Sequence, residues 1–406
     1  MGSVLIAGAG PGGAALAFLL SRAGIDVTLL ERQTDFSREF RGEALLPNGL
    51  GMIEQMGLWD TFESVPHVEL TSLELFVNGR QRAALEFDRA TMGGLAPRWV
   101  SQAHFLEWMV AESAKHASFR LERGVTVRDL LCEDGRVVGL RCVASEGERD
   151  YRADLVIGAD GRSSVVRRRA GLSVREDPTP MDIIWFKLPR PSFLDEKLTA
   201  RGYVGDGHLL ILAPIYDGNI QVAWIIPKGG FGRVKERGMG ACLDSMAGVS
   251  SDDFAAYLRS SGAEAMDPFL LSTVSDRVTE WSRPGMMVIG DAAHTMSPVG
   301  GQGLNHALRD AVVAANHLTP LLRASAGPEA IDDAARAIEV ERLPEVAEIQ
   351  RMQAIPPRIL FAQKSIAGVV MTMAAFFLNR GWMPPVVGSL GQKFFFGISD
   401  VRLEVP

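Results

Sequence analysis

Three groups of residues have types and spacing that could do chemistry. Gly8, Gly10, Pro11, Gly12 and Gly13 sit between an apolar run at 4–7 and a stretch of small and aliphatic residues at 14–23. Glu31 closes the next apolar run, 25–30. Asp160-Gly161 and Gly290-Asp291 each follow a further apolar run. Glycines at this spacing permit a tight turn, a close backbone approach to a pyrophosphate, and close packing of helix on strand. The helix start then offers free N–H groups and a positive dipole end to the phosphates. A carboxylate accepts two hydroxyl hydrogen bonds, which suits ribose at Glu31 and a polyol chain at Asp291. A glycine fingerprint alone is weak, because glycine turns without ligands are common. Asp291 also reads as a helix N-cap, and one carboxylate can serve both ends. Three such signatures in this order point to a dinucleotide-binding protein.

These residues need elements to hold them. Residues 4–7, 14–23 and 25–30 read as strand, helix and strand, a βαβ unit. Residues 154–168 read as a strand running into Asp160-Gly161 and a helix opened by Ser163-Ser164. A helix over 103–115 is opened by Gln102. Strand-like stretches fall at 73–77, with a turn at Asn78-Gly79, and at 182–187, 208–212 and 220–226. The chain therefore reads as α/β and interleaved. Residues 1–72, 101–174 and 281–325 make a nucleotide-binding domain. Residues 73–100 and 175–280 make a mixed β-sheet domain. Residues 326–406 form a helical C-terminal region.

In motif order and spacing, residues 1 to about 325 resemble the class A FAD-dependent monooxygenases, the para-hydroxybenzoate hydroxylase family. The resemblance implies an FAD-binding Rossmann-like domain of the GR2 type, non-covalent FAD, and NADPH or NADH as co-substrate. It places Glu31 on the adenosine ribose, Asp160 near the pyrophosphate and the nicotinamide cleft, and Asp291 on the ribityl chain. Pro298, Gly301, Gly303 and Asn305 fit the family's PxxGxGxN loop beside the flavin ring, with Leu304 inside it. Arg41 matches an arginine near the FAD phosphates, and Gln102 a glutamine that touches FAD. Arg32 and Val127 complete the implied cofactor set. The helix from Gly303 would aim its N–H groups at the flavin and favour its anionic reduced form.

The implied reaction is hydride transfer from NAD(P)H to FAD, capture of dioxygen as a flavin C4a-hydroperoxide, and hydroxylation or epoxidation of an aromatic or polyketide- or quinolone-like small molecule. The flavin carries the hard chemistry, which agrees with the lack of a Ser/His/Asp triad or a metal-ligand set. Tyr203, His208 and Tyr216 are weak candidates for a base near a phenol oxygen. Trp185, Trp224 and Pro298 are candidates for the pocket wall, although alternation sends half of a strand's residues to the other face. His294 reads better as a loop-locking hydrogen bonder than as a catalyst. Three rival readings stand. An isoprenoid (geranylgeranyl-type) reductase carries YxWxFPK, which residues 222–228 match in part. A flavin-dependent halogenase carries WxWxIP, of which Trp224-Ile225-Ile226-Pro227 lacks the first tryptophan. A non-catalytic flavin sensor is the third.

Composition sets the remaining bounds. The 406 residues are 47% hydrophobic and 22% charged with net charge -7, which suits a globular protein and shows no nucleic-acid footprint. Three cysteines in no metal pattern, and no apolar leader before the first strand, lead to the expectation of a reducing cytoplasm. Residues 365–379 are nearly all apolar. A helix of that length reaches about 22 Å, short of a bilayer core of about 30 Å. No transmembrane span is expected. A buried helix or dimer contact is the plainer reading, and a membrane-surface contact the sharper one, which Phe394-Phe395-Phe396 favours.

Overall fold

The computed structural model describes residues 2–37, 44–90, 92–194, 197–206, 208–260, 267–360 and 385–405. Arg41 and the apolar stretch 365–379 lie outside them. A six-stranded sheet runs in the order Ser282–Arg283, Met286–Val288, Leu155–Gly158, Ser3–Ala7, Asp26–Glu31, Phe119–Arg123. All neighbours are parallel except the two-residue edge strand. The three motif loops follow Ala7, Gly158 and Val288, the C-terminal ends of three adjacent strands. That is where open parallel sheets bind ligands. Helices Pro11–Arg22, Gln302–Arg323 and Gln102–Ser113 pack together in one apolar core with the buried faces of these strands.

The second sheet has seven strands in the order Phe269–Leu271, Met181–Pro189, Asn219–Pro227, His208–Pro214, Thr199–Gly205, Ser72–Val77, Arg80–Glu86. Its one parallel pairing is Thr199–Gly205 with Ser72–Val77. Asn78 and Gly79 both have positive φ, 49° and 75°, in the turn that joins Ser72–Val77 to its neighbour. That is the backbone a two-residue hairpin demands.

Alternation divides this sheet's residues between two cores. Ile184, Phe186, Tyr203, Leu210, Leu212, Val222 and Trp224 pack under helices Phe231–Arg237, Met239–Ala247 and Asp252–Ser260. Met181, Ile183, Trp185, Ala223 and Ile225 form a separate cluster on the opposite face, with Val299 of the loop after the third motif packed against it.

After the long helix Gln302–Arg323 the described residues include the helices Pro328–Gln353, Ile355–Leu360 and Pro385–Phe396. Among the described residues, no helix is long and apolar enough to cross a membrane. Two of the three phenylalanines expected to favour a membrane surface, Phe394 and Phe395, are half-buried against the protein. A methyl group at Gly300 would meet the Phe394 ring at 3.1 Å. The Phe395 ring lies 5.7 Å from that of Phe87. Only Phe396 is exposed.

Candidate cofactor and substrate site

The glycine turn is built as its spacing predicts. Gly8 has φ +100°, a conformation L residues rarely adopt, and an added Cβ would lie 2.4 Å from the Ala159 carbonyl oxygen. At Gly13 a Cβ would lie 2.1 Å from the Gly8 oxygen, and at Gly12 it would lie 3.2 Å from that of Ala307. These three glycines bring strand, helix and neighbouring helix together. Gly10 is different: a Cβ there meets only the Ala159 oxygen, at 3.9 Å. Its open side is the one a phosphate would approach. Helix Pro11–Arg22 begins there with Gly10 as N-cap and Pro11 at N1, and no side chain caps it. Its first N–H groups therefore remain available to an anion.

Glu31 ends its strand over this turn and is largely buried. Its carboxylate accepts the N–H of Ala9 at 3.1 Å and that of Gln33 at 2.9 Å. Arg32 is exposed beside it. Val127 is buried in a core with Ala7 and Leu30, so it supports the motif strands from behind. Gln102 opens its helix and is half-buried.

Asp160 accepts hydrogen bonds from the hydroxyl of Ser164 and the N–H groups of Val165 and Val166, at 2.5, 2.6 and 3.2 Å. Burial raises its pKa, against the lowering effect of those bonds. It works here as a cap on the short helix Val165–Arg169. Arg167 from that helix donates to the Arg162 carbonyl at 2.7 Å and to the Ala292 carbonyl at 3.4 Å. The second and third motifs are thereby tied to each other.

The third motif is a 3-10 turn, Gly290–Ala292, followed by a second, Val299–Gly301, and the long helix. Gly301, at φ +62°, is the N-cap of helix Gln302–Arg323. Gly303 on the first turn has nothing within 4 Å of an added Cβ, so this helix start also faces open space. Leu304 is buried in the main core, and Pro298 is half-buried at the loop. Asn305 is fully buried. Its amide donates to the carbonyls of Ala44 and Gly301, at 3.0 and 2.7 Å, and its oxygen accepts the N–H of Leu46 at 2.9 Å. It staples two loops together, so what it gives a bound ring is the position of the backbone.

Beneath this loop lies a cluster the sequence did not reveal. Asp310 accepts the N–H of Gly290 at 2.9 Å, Nε2 of His294 at 2.7 Å and Nε of Arg342 at 2.8 Å. Arg342 also pairs with Glu345, which pairs with Arg309 and accepts the N–H groups of Ile398 and Ser399. Asp310 and Arg342 have no exposed surface. Burial would raise the Asp310 pKa, but His294 and Arg342 hold it well below the usual carboxylate range. His294 is thus the loop-locking residue its position suggested. Helical charges normally read as a solvated face. The signal available was that Arg309-Asp310 falls on the apolar stripe of its helix.

The catalytic and pocket candidates separate sharply. Tyr203 is corrected: it is fully buried under the helices, stacked between Phe76 and Phe254, with its hydroxyl on Ser251 at 3.0 Å. Burial raises its pKa, and its ring lies in the helix-covered core, on the other face from the cluster that packs against Val299. Trp224 is corrected likewise, because alternation turns it into the same helix-covered core. Tyr216 sits exposed at the surface, edge-on to His104. The side chain of His208 lies outside the described residues. Trp185 is on the opposite face, beside Val299 of the Pro298 loop.

The residues present fit FAD. Two uncapped helix starts with open glycines, an acid over the first turn and an acid in the third motif make a cradle for a dinucleotide, with an apolar sheet face across from the loop. No cluster that could hold a metal occurs among the described residues.

A profile of the family described as "FAD binding domain" matches residues 1–196 and 264–349. The 6-methylpretetramide 4-monooxygenase of Streptomyces rimosus is 29% identical over 402 residues, covering 99% of this chain and 94% of that protein. Among solved structures, p-nitrophenol 4-monooxygenase PnpA from Pseudomonas putida DLL-E4 superposes with a TM-score of 0.79 at 19% identity, covering 98% of this chain and all of that one. PqsL of Pseudomonas aeruginosa, solved with 2-aminobenzoylacetate, superposes with a TM-score of 0.77 at 22% identity, covering 91% and 100%. The profile match, the relatives and the arrangement of the three motif loops agree, and the chain belongs to the FAD-binding-domain family as an FAD-dependent monooxygenase of class A.

Proposed function

We propose that this protein uses NAD(P)H and dioxygen to insert one oxygen atom into an aromatic or polyketide ring held between the Pro298–Gly303 loop and the face Met181–Trp185. The observation that carries this reading is the second cluster of the seven-stranded sheet. Met181, Ile183, Trp185, Ala223 and Ile225 turn an apolar wall towards Val299, on the loop that follows the third motif. A wall of this kind suits a flat, apolar ring and excludes water from the oxygen-transfer step. The S. rimosus relative's polyketide name favours the same substrate class.

Bound FAD supplies the redox chemistry. This chain's own residues do the rest. Glu31 and the open Gly10 turn take the adenosine half, and Asp291 the polyol chain. The uncapped start of helix Gln302–Arg323 presents N–H groups that stabilise negative charge on the ring system. Asn305 and Asp310 fix the loops that shape this cradle. We place the cofactor-binding segments at 1–72, 101–174 and 281–325 and the substrate segments at 73–100 and 175–280.

The halogenase reading is weakened by Trp224, the one tryptophan of its motif present here, which turns to the helix-covered core. Product formation under labelled dioxygen, with phenols and tetracyclic polyketides as substrates, tests the proposal. One labelled atom in the product is expected. Unlabelled product, or anaerobic turnover at the aerobic rate, would favour a reductase.

A further inference from the structure

The wall beside the Pro298 loop holds two tryptophans, and their ring nitrogens are treated differently. Nε1 of Trp99 donates to Oε1 of Gln221 at 2.8 Å. Nε1 of Trp185 is buried and has no hydrogen-bond partner. Its neighbours in the cluster are Met181, Ile183, Ala223 and Ile225, none of which can accept. A buried N–H without a partner is rare, and each one costs about 1–3 kcal/mol. Trp185 bears that cost in the cluster against which Val299 of the Pro298 loop packs. The cluster is closed on that side by Trp99, Leu209, Ile211 and Val299, which are only half-buried. The one charged side chain on this face of strand Met181–Pro189 is Lys187, and it is paired with Asp217 at 3.4 Å.

A second orphan lies on the residue that holds the Pro298 loop. Gln353 is fully buried, and its Nε2 donates to the carbonyls of Ser297 and Val299, at 2.6 and 2.7 Å, on either side of Pro298. Two carbonyl acceptors fix which end of the amide is nitrogen. Its Oε1 is buried with no partner. Gln353, Ser297 and Met181 line one cleft of about 440 Å³ whose outer rim is charged, with Arg175, Arg277, Asp177 and Glu348, and Met181 is also a member of the Trp185 cluster.

We propose that Trp185 is a specificity-determining residue, whose indole N–H takes a ring-borne carbonyl or phenol oxygen of an uncharged, polycyclic aromatic substrate. It rests on the reading that this face receives the substrate. A site built to hydrogen-bond one group rejects the analogue that lacks it, because the site's own donor stays unpaired. With Lys187 matched by Asp217, no excess positive charge on this strand face recommends a carboxylate. Trp185 positions and selects; it transfers no proton.

The test uses the FAD holoenzyme and three tricyclic probes, followed by perturbation of the flavin absorbance. The probes are anthrone, which carries a ring ketone, 9,10-dihydroanthracene, which lacks it, and anthracene-9-carboxylate, which is charged. Wild type is expected to bind anthrone about tenfold more tightly than dihydroanthracene, and the carboxylate most weakly. Trp185→Phe removes the N–H and is expected to bind the first two equally. Trp224→Phe, on the opposite face, is expected to keep the preference. The assignment is overturned if wild type binds neither neutral probe or shows no preference, if Trp185→Phe retains it, or if the carboxylate binds best. The wild-type preference needs no variant, so a misfolded Trp185→Phe does not shield the proposal. Wild type that incorporates labelled oxygen yet shows no preference refutes Trp185 alone. A preference without oxygen incorporation supports the Trp185 donor and refutes the monooxygenase reading beneath it.

Discussion

The Asp310 carboxylate, on helix Gln302–Arg323, holds the backbone N–H of Gly290, the first residue of the third motif, at 2.9 Å. The same oxygen meets His294 Nε2 at 2.7 Å. A charged group with no exposed surface thus sets the loop that carries Asp291. Asp310→Asn keeps the size but removes the charge, leaving Arg342 to share Glu345 with Arg309. Removing one partner of a buried pair costs up to about 3–5 kcal/mol, and the remaining Arg342–Glu345 pair keeps the loss below that. We expect a melting temperature lower by several degrees and FAD affinity reduced at least tenfold. Thermal unfolding and titration of the apo-variant with FAD read these two effects.

The two motif aspartates should fail differently. Asp160 caps helix Val165–Arg169, and losing a cap costs about 1 kcal/mol. Asp160→Ala is therefore expected to lower stability while largely retaining FAD. Asp291→Ala is expected to lose FAD more severely and to change apo-protein stability less. Equal FAD affinities of the two apo-variants would refute the assignment.

Two glycines of the first turn should likewise separate folding from binding. Gly13→Ala places a Cβ 2.1 Å from the Gly8 oxygen, so the turn cannot close and little folded protein is expected. Gly10→Ala meets only the Ala159 oxygen at 3.9 Å. That variant should fold and melt like wild type without cofactor, yet lose FAD affinity. Circular dichroism with FAD titration separates the outcomes, and a Gly10→Ala protein that keeps full FAD affinity counts against a phosphate there.

Acid should weaken the fold through His306. It is fully buried, and burial, followed by Arg342, lowers its pKa from 6.5 to about 3. Between those values the unfolded chain binds a proton that the folded chain refuses. Stability is full above pH 6.5 and falls as pH drops towards 3, by at most about 1.4 kcal/mol per pH unit from this one group. Asp310, held low by His294 and Arg342, and Glu345, held low by Arg342 and Arg309, add to the loss further down. Denaturant midpoints between pH 8 and 4 measure it. A flat profile above pH 4.5 would exclude His306 as the source.

Much of the site was legible because glycine and apolar runs carry local rules. The turn at Gly8–Gly13, the acid at Glu31 and the hairpin at Asn78-Gly79 each follow from backbone sterics or strand period. Which face a strand residue takes did not follow from local rules. Trp185 and Trp224 lie on strands paired in register, Trp185 opposite Ala223 and Ile184 opposite Trp224, and only the placement of three helices decides which tryptophan is core. Tyr203 failed for the same reason. The Arg309–Asp310–Arg342–Glu345 cluster escaped because charge on amphipathic helices is ordinarily solvated, and its burial depends on the docking of residues 398–399 against Glu345.

The order of strands in the six-stranded sheet also bears on how the protein is made. Strand Ser3–Ala7 finds one neighbour early, in Asp26–Glu31, but its other side waits for Leu155–Gly158, and that strand waits in turn for Met286–Val288. The third motif loop follows this last strand. A nascent chain leaving the ribosome therefore carries a glycine turn with no place for the flavin to settle until strand Met286–Val288 and the loop after it have emerged. Cofactor loading then follows the emergence of the third motif, however early the first glycine turn has formed.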